Sequence, residues 1–187
     1  MSEIELVPNH HGRWFDIRNK FKVDQETSTP ISNINNFASI DLGVVNLATI
    51  YSPNNNIRPF IINGREITHI NYKTKKSLAK LSRKYRRYTD KHYRVIQKRQ
   101  HQMHNCMHSA SALVVQYCQT NKIKRLVVGY NKNWKHRVNM GAQANDKFYR
   151  IPLRCFVNMI FYKCHGKGIE VVETKYVNES NTCALER

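Results

Sequence analysis

The run Ser39-Ile40-Asp41-Leu42-Gly43-Val44-Val45-Asn46-Leu47-Ala48-Thr49-Ile50 carries most of what this sequence says about itself. It is an apolar stretch of strand-forming residues with one carboxylate, Asp41, in its middle. A buried strand rarely tolerates an ionised side chain unless something pairs with it. Gly43 lies two residues on and lets another backbone or a ligand approach closely. Asn46 and Thr49 keep the second half partly polar. Two readings stay open. In one, Asp41 is the first metal-binding carboxylate of a nuclease-like sheet. In the other, it is an aspartate in a tight bend between two short strands.

Charge narrows the choice. Lys and Arg number 31 against 13 Asp and Glu, a formal net charge of +18 in 187 residues. Such an excess draws polyanions and says nothing of fold. Nucleic acid is the expected partner. A membrane surface is not, because no amphipathic helix with a clean apolar face accompanies the charge. The length predicts one domain with a substantial core. No apolar run reaches the ~18 residues of a bilayer span. The polar start Met1-Ser-Glu-Ile-Glu5 lacks the apolar stretch of a secretion signal. Cys106, Cys118, Cys155, Cys164 and Cys183 are odd in number, and no C-x-x-C pair occurs. Neither a zinc site nor a disulfide framework is indicated, and the expected setting is cytoplasmic or nuclear, not secreted.

Outward from Asp41, patterning predicts one strand over Phe37 to Tyr51, a second over Arg58 to Asn63 and a third over Glu66 to Ile70. Residues 1 to 36 read as mostly irregular, with a short strand at Gly12 to Ile17 and a linker over Gln25 to Asn36. A helical region follows, with one apolar stripe through Leu78, Leu81, Tyr85 and Tyr88. A second runs through Ile96, Met103, Met107, Ala110, Val114 and Tyr117. The two meet at a break near Thr89 and Asp90. Arg125 to Gly129 has the continuous apolar character of a buried strand. Tyr130 to Asp146 reads as a polar loop, Phe148 to Cys164 as a helix and Ile169 to Val177 as the last strand. The fold class expected is α/β, a mixed sheet with a long helical insertion.

From Lys73 to Arg99 there are 12 Lys and Arg and one acid, Asp90, with Tyr72, Tyr85, Tyr88 and Tyr93 within or beside the run. Like charges three and four residues apart repel one another, and a polyanion laid along the helix relieves them. The candidate nucleic-acid contacts are Lys73, Lys76, Lys80, Arg83, Lys84, Arg87, Lys91 and Arg94. Lys132, Trp134 and Lys135, in an amide- and cation-rich loop, suit phosphate contact and base stacking. His101, His104 and His108 recur at helical spacing without an acid close by, and read as surface or core histidines. No Ser-His-Asp or Cys-His spacing supports a nucleophile.

Together these pieces resemble the RuvC-like nuclease domain of the transposon-encoded TnpB proteins and their Fanzor relatives. The resemblance rests on Ser39 to Thr49, Ile62-Asn-Gly-Arg65, Val127 to Lys135 and Asn139-Met-Gly141. Asn145 with Phe148, Ile151-Pro152, Tyr162-Lys163 and Gly168 to Val172 extend it. It implies an RNase H-like (RuvC-like) fold over 37–187, with 1–36 the end of a wedge-like domain and a linker. It implies DNA and a guide-like RNA as partners, and two magnesium ions held by three carboxylates for DNA cleavage.

Asp41 matches the first of those acids. Gly129 stands where many members carry the second. Glu173, on the last predicted strand, is the substitute expected for it, ahead of Glu179. The resemblance also implies that a chain stopping at Arg187 lacks the zinc-finger-like insert and the final helix with the third acid. The expectation is therefore a nucleic-acid-binding relative of the transposase lineage that is impaired in catalysis. The alternative is an active magnesium-dependent endonuclease completed by another chain or reading frame.

Overall fold

In a computed structural model, residues 2–9, 14–21, 36–130 and 142–174 are described. The chain opens with a two-stranded antiparallel sheet, β1 (Ser2–Asn9) and β2 (Trp14–Phe21), in register from Ser2 opposite Phe21 to Asn9 opposite Trp14. Much of the N-terminal region expected to be irregular is thus paired strand.

The strand expected over Phe37 to Tyr51 is two strands, β3 (Phe37–Leu42) and β4 (Asn46–Tyr51), folded on each other with Asp41 opposite Thr49. The turn between them, Gly43-Val44-Val45, carries little of the polar signal that usually advertises a reversal. β5 (Phe60–Asn63) follows. The third strand expected near Ile67 does not exist: Glu66 to Ile70 lie in α1 (Arg65–Lys84). Ile67, Ile70 and Thr74 are its buried residues, at the three- and four-residue steps of a helix face. The Asn63 side chain starts this helix by accepting the Arg65 N–H at 3.2 Å.

A break near Thr89 does separate two helices, and α2 runs Asp90–Thr120. Thr89 caps it, and His92 takes the place usually held by Glu or Gln in a capping box, its Nδ1 accepting the Thr89 N–H at 3.1 Å. β6 (Arg125–Gly129) is the buried strand expected. The segment expected to be one loop and one helix holds two helices, α3 (Ala142–Tyr149) and α4 (Leu153–His165). They part at Arg150-Ile151-Pro152, because a proline nitrogen cannot donate within a helix. Gly168, at φ +66°, turns the chain into β7 (Glu170–Thr174).

The five-stranded sheet has the order β5-β4-β3-β6-β7. β4 is antiparallel to β3 and β5, whereas β6 lies parallel to β3 and β7 parallel to β6. This is the mixed α/β sheet with a long helical insertion expected, an RNase H-like arrangement with β3 in the centre. Ala38, Ile40, Leu42, Leu126 and Val128 on one sheet face merge with Met107, Val114, Phe156 and Ile160 of the helices into one buried cluster. Each such side chain of Leu, Ile or Phe size contributes ~1.5–3 kcal/mol on burial. Across α2 and α4, the Lys163 ammonium donates to the His108 carbonyl and the Ser111 hydroxyl, both at 2.7 Å. Arg99 donates to the Asn71 side chain at 2.8 Å and the Arg150 carbonyl at 2.9 Å, tying α1, α2 and the α3–α4 turn together.

Candidate functional site

Asp41 stands on the central strand but on its exposed side. Along β3, Ala38, Ile40 and Leu42 are buried, whereas Ser39 and Asp41 are exposed. The carboxylate therefore needs no buried partner, and an aspartate beside a tight bend describes its backbone. The turn after it is held closely. A side chain at Gly43 would bring its Cβ to 2.8 Å from the Asn46 carbonyl oxygen, so the close approach this glycine permits is to its own hairpin. Gly64 N–H donates to the Val45 carbonyl at 2.8 Å, and a Cβ there would lie 2.7 Å from the Val44 carbonyl oxygen.

Register decides which side chains share Asp41's face. Ile40 pairs with Val128, and Val128 with Glu173. Paired residues on adjacent strands project to the same side, so Glu173 lies with Ile40 and Val128 on the helix-covered face. One step along each strand, Asp41 follows Ile40 and Gly129 follows Val128, so Asp41 falls in the row of Gly129 and its partner Thr174. The structure thus does not bring Glu173 to Asp41. Glu173 instead accepts from Arg154 of α4 at 2.8 Å, and Arg154 also lies over the Tyr130 ring, 5.2 Å from its centroid.

A pair of magnesium ions needs several carboxylate oxygens converging on one point. Across the sheet, the row of Asp41 offers Thr49, Ile61, Gly129 and Thr174, none of them a carboxylate. Among the described residues no group of three His, Cys, Asp or Glu could hold a metal ion. The described residues therefore do not fit a two-magnesium centre. Lys132, Trp134, Lys135 and Glu179 lie outside the described residues.

The basic run is better gathered. Lys73, Lys76, Lys80, Arg83, Lys84, Arg87, Lys91 and Arg94 are all exposed. On α1 they lie away from the buried Ile67, Ile70 and Thr74. A groove of about 630 Å³ runs between α1 and α3, lined by Asn71, Tyr72, Lys75, Lys147 and Arg150, with Asp146 as its acid. Asp146 pairs with Arg150 at 2.7 Å and Lys75 at 3.5 Å. These cations hold its carboxyl below the usual range, the Arg150 hydrogen bond foremost. Sequence patterning does not reveal this groove, because Lys147 and Arg150 come near α1 only through the fold.

His104 and His108 meet edge to face at 4.5 Å, and burial lowers the His108 pKa. Cys118 and Cys164 are buried, and burial pushes both thiols up to about 12. No described helix is long and apolar enough to cross a membrane.

Residues 20–135 match the OrfB_IS605 family, described as probable transposase. The chain belongs to this family. The TnpB resemblance that starts from Asp41 and the family match agree. Among solved structures, the chain is similar to Cas12f1 in its sgRNA–target DNA complex, at 16% identity and a TM-score of 0.65, over 98% of this chain and 44% of that one. It is also similar to Cas12f in a CRISPR ternary complex, at 17% identity and a TM-score of 0.61, over 96% of this chain and 36% of that one. The chain thus spans less than half the length of either, and at such identities the likeness is one of fold. No protein of curated function matches the sequence.

Proposed function

We propose that this TnpB-family chain is a nucleic-acid-binding protein that holds DNA and a guide-like RNA along α1 and α2, and that it is impaired in DNA cleavage. One observation carries the binding: eight cations of one helical hairpin all reach solvent. Contacts of this type act on phosphates and give affinity with little sequence preference. The likeness to Cas12f1 supports the same partners, since that protein was solved with guide RNA and target DNA. The groove between α1 and α3 extends the basic surface toward the turn that follows Asp41, since Val44 lines it too.

Poor cleavage is supported by the donor set. Asp41 is the one carboxylate we assign to a metal. Glu173, the substitute for the second acid, is engaged by Arg154 on the other face. Among the described residues the set of ligands is incomplete, and such a set leaves charge at the transition state poorly offset. In domain terms, 37–187 is the RuvC-like unit and 1–36 the end of a wedge-like domain with its linker. The compartment proposed is cytoplasmic or nuclear.

The test is a cleavage assay with purified protein, a candidate guide RNA, double-stranded DNA, and magnesium or manganese, with Asp41→Ala as control. The reading expects binding by both proteins and no efficient cutting by either. Robust cutting by the parent that vanishes in Asp41→Ala would replace it with the alternative, an active metal-dependent endonuclease.

A further inference from the structure

The corner joining α1 to α2 presents aromatic rings and cations together, in a way a duplex-tracking surface does not require. α1 ends at Lys84, Tyr85 takes up an extended conformation, and α2 begins at Asp90. His92 fills the inside of the corner, 1% exposed. Its Nδ1 accepts the Thr89 N–H at 3.1 Å, which ties the ring to the start of α2. Tyr88 packs on His92 at 4.7 Å with 33° between the rings, and meets Tyr93 edge-on at 6.0 Å. Tyr88 nevertheless remains 62% exposed. A large ring held firmly by a buried neighbour and still open to solvent is a pre-ordered stacking surface.

Cations gather on another ring of the corner, Tyr85. The ammonium groups of Lys84 and Lys91 both lie over Tyr85, 5.8 and 5.7 Å from its centroid. Lys91 also donates to the Tyr85 hydroxyl at 3.3 Å. Two like charges gathered on one ring repel each other, and an anion between or beside them relieves the repulsion. Arg86 and Arg87 are exposed in the same corner, and the acid there is Asp90.

Resting on the nucleic-acid reading above, we infer that this corner is a single-strand subsite: an unpaired base stacks on Tyr88 while its flanking phosphates contact Lys84 and Lys91. A base inside a duplex has both faces covered by its neighbours and cannot use the ring. The corner therefore separates unpaired from paired strands, which exposed lysines and arginines alone do not. DNA and RNA strands share this chemistry.

The experiment measures fluorescence anisotropy of labelled oligo(dT), oligo(U) and a blunt DNA duplex against the full chain and its Tyr88→Ala and Tyr88→Trp variants. Stacking of one base predicts a loss of about five- to a hundred-fold on at least one single strand for Tyr88→Ala. Duplex binding stays within about twofold, and Tyr88→Trp retains single-strand affinity. The DNA and RNA arms show which strand the corner takes. Lys84→Gln with Lys91→Gln lowers the single-strand salt slope by about 1.4. A parent that binds all probes, with Tyr88→Ala equal to it on both single strands or weakened alike on single strand and duplex, overturns the subsite and leaves the nucleic-acid reading standing. A parent that binds no probe overturns both.

Discussion

Asp41 and Glu173 occupy opposite faces of the same sheet, because Glu173 follows the row of Ile40 and Val128 and Asp41 the row of Gly129 and Thr174. The carboxylate best placed by sequence to join Asp41 serves instead to fasten β7 to α4 through Arg154. Glu173→Gln is therefore expected to leave manganese binding unchanged. It should lower stability by at most ~1 kcal/mol, the usual worth of a partly exposed ion pair. Urea unfolding and a manganese titration of parent and variant check this. A loss of metal affinity in Glu173→Gln would place the two acids in one site.

Gly64 is where the helical insertion meets the turn after Asp41. A Cβ added at Gly64 would lie 2.7 Å from the Val44 carbonyl oxygen, so no rotamer relieves the contact and backbone must move. Gly64→Ala is expected to destabilise the fold by ~1–3 kcal/mol, the range for overpacked sites. Equilibrium denaturation reads the difference directly. A variant as stable as the parent would mean that the turn yields freely.

Arg99 bridges Asn71 and the Arg150 carbonyl from the inside of the helical insertion. Hydrogen bonds from a charged group contribute ~1.5–3 kcal/mol each when well shielded, and Arg99 is half-buried. Arg99→Met should therefore destabilise by ~1–3 kcal/mol. Much of that effect should disappear when Asn71→Ala is already present, a coupling that a double-mutant cycle measures.

Asp146 gives a pH dependence. Its carboxyl is held below the ordinary value in the folded protein, through Arg150 and then Lys75. The unfolded chain takes up the proton first as pH falls. The stabilisation is thus present above the unfolded carboxylate pKa and disappears as pH falls through the folded one. Asp146→Asn should melt below the parent at pH 7, and the two curves should converge in acid. A gap in melting temperature that stays constant from neutral to acid pH would contradict this.

Much of the fold was legible where a pattern had one solution. Arg125 to Gly129 is too short and too uniformly apolar for a surface element, and Met103, Met107, Ala110 and Val114 keep helix spacing through three turns. Elsewhere the pattern had two solutions. Glu66 to Ile70 carries apolar residues only at its second and last positions, a three-residue step that fits a helix face, but two residues are too few to set the period. Gly43-Val44-Val45 reverses the chain with apolar residues, so hydropathy alone runs β3 into β4. Tyr88 continues the spacing of Leu78 and Leu81, yet α1 has ended by then and its ring faces solvent. For the site, Asp41 could be found from its own strand. The face of Glu173 could not, since it depends on how β7 aligns with β6, a long-range register that no local pattern encodes.

Whether the α1–α2 hairpin holds nucleic acid by its phosphates is answered by the salt dependence of binding. Affinity for a DNA duplex and for an RNA strand should be measured across a range of salt for the parent and for a variant with Lys80, Arg83, Lys84 and Arg87 all changed to Gln. Removing one phosphate contact lowers the log–log slope by ~0.7–0.9. A hairpin that tracks phosphates therefore gives weaker binding by the variant and a slope flatter by about 3. Equal affinity and equal slope across the whole salt range would contradict it.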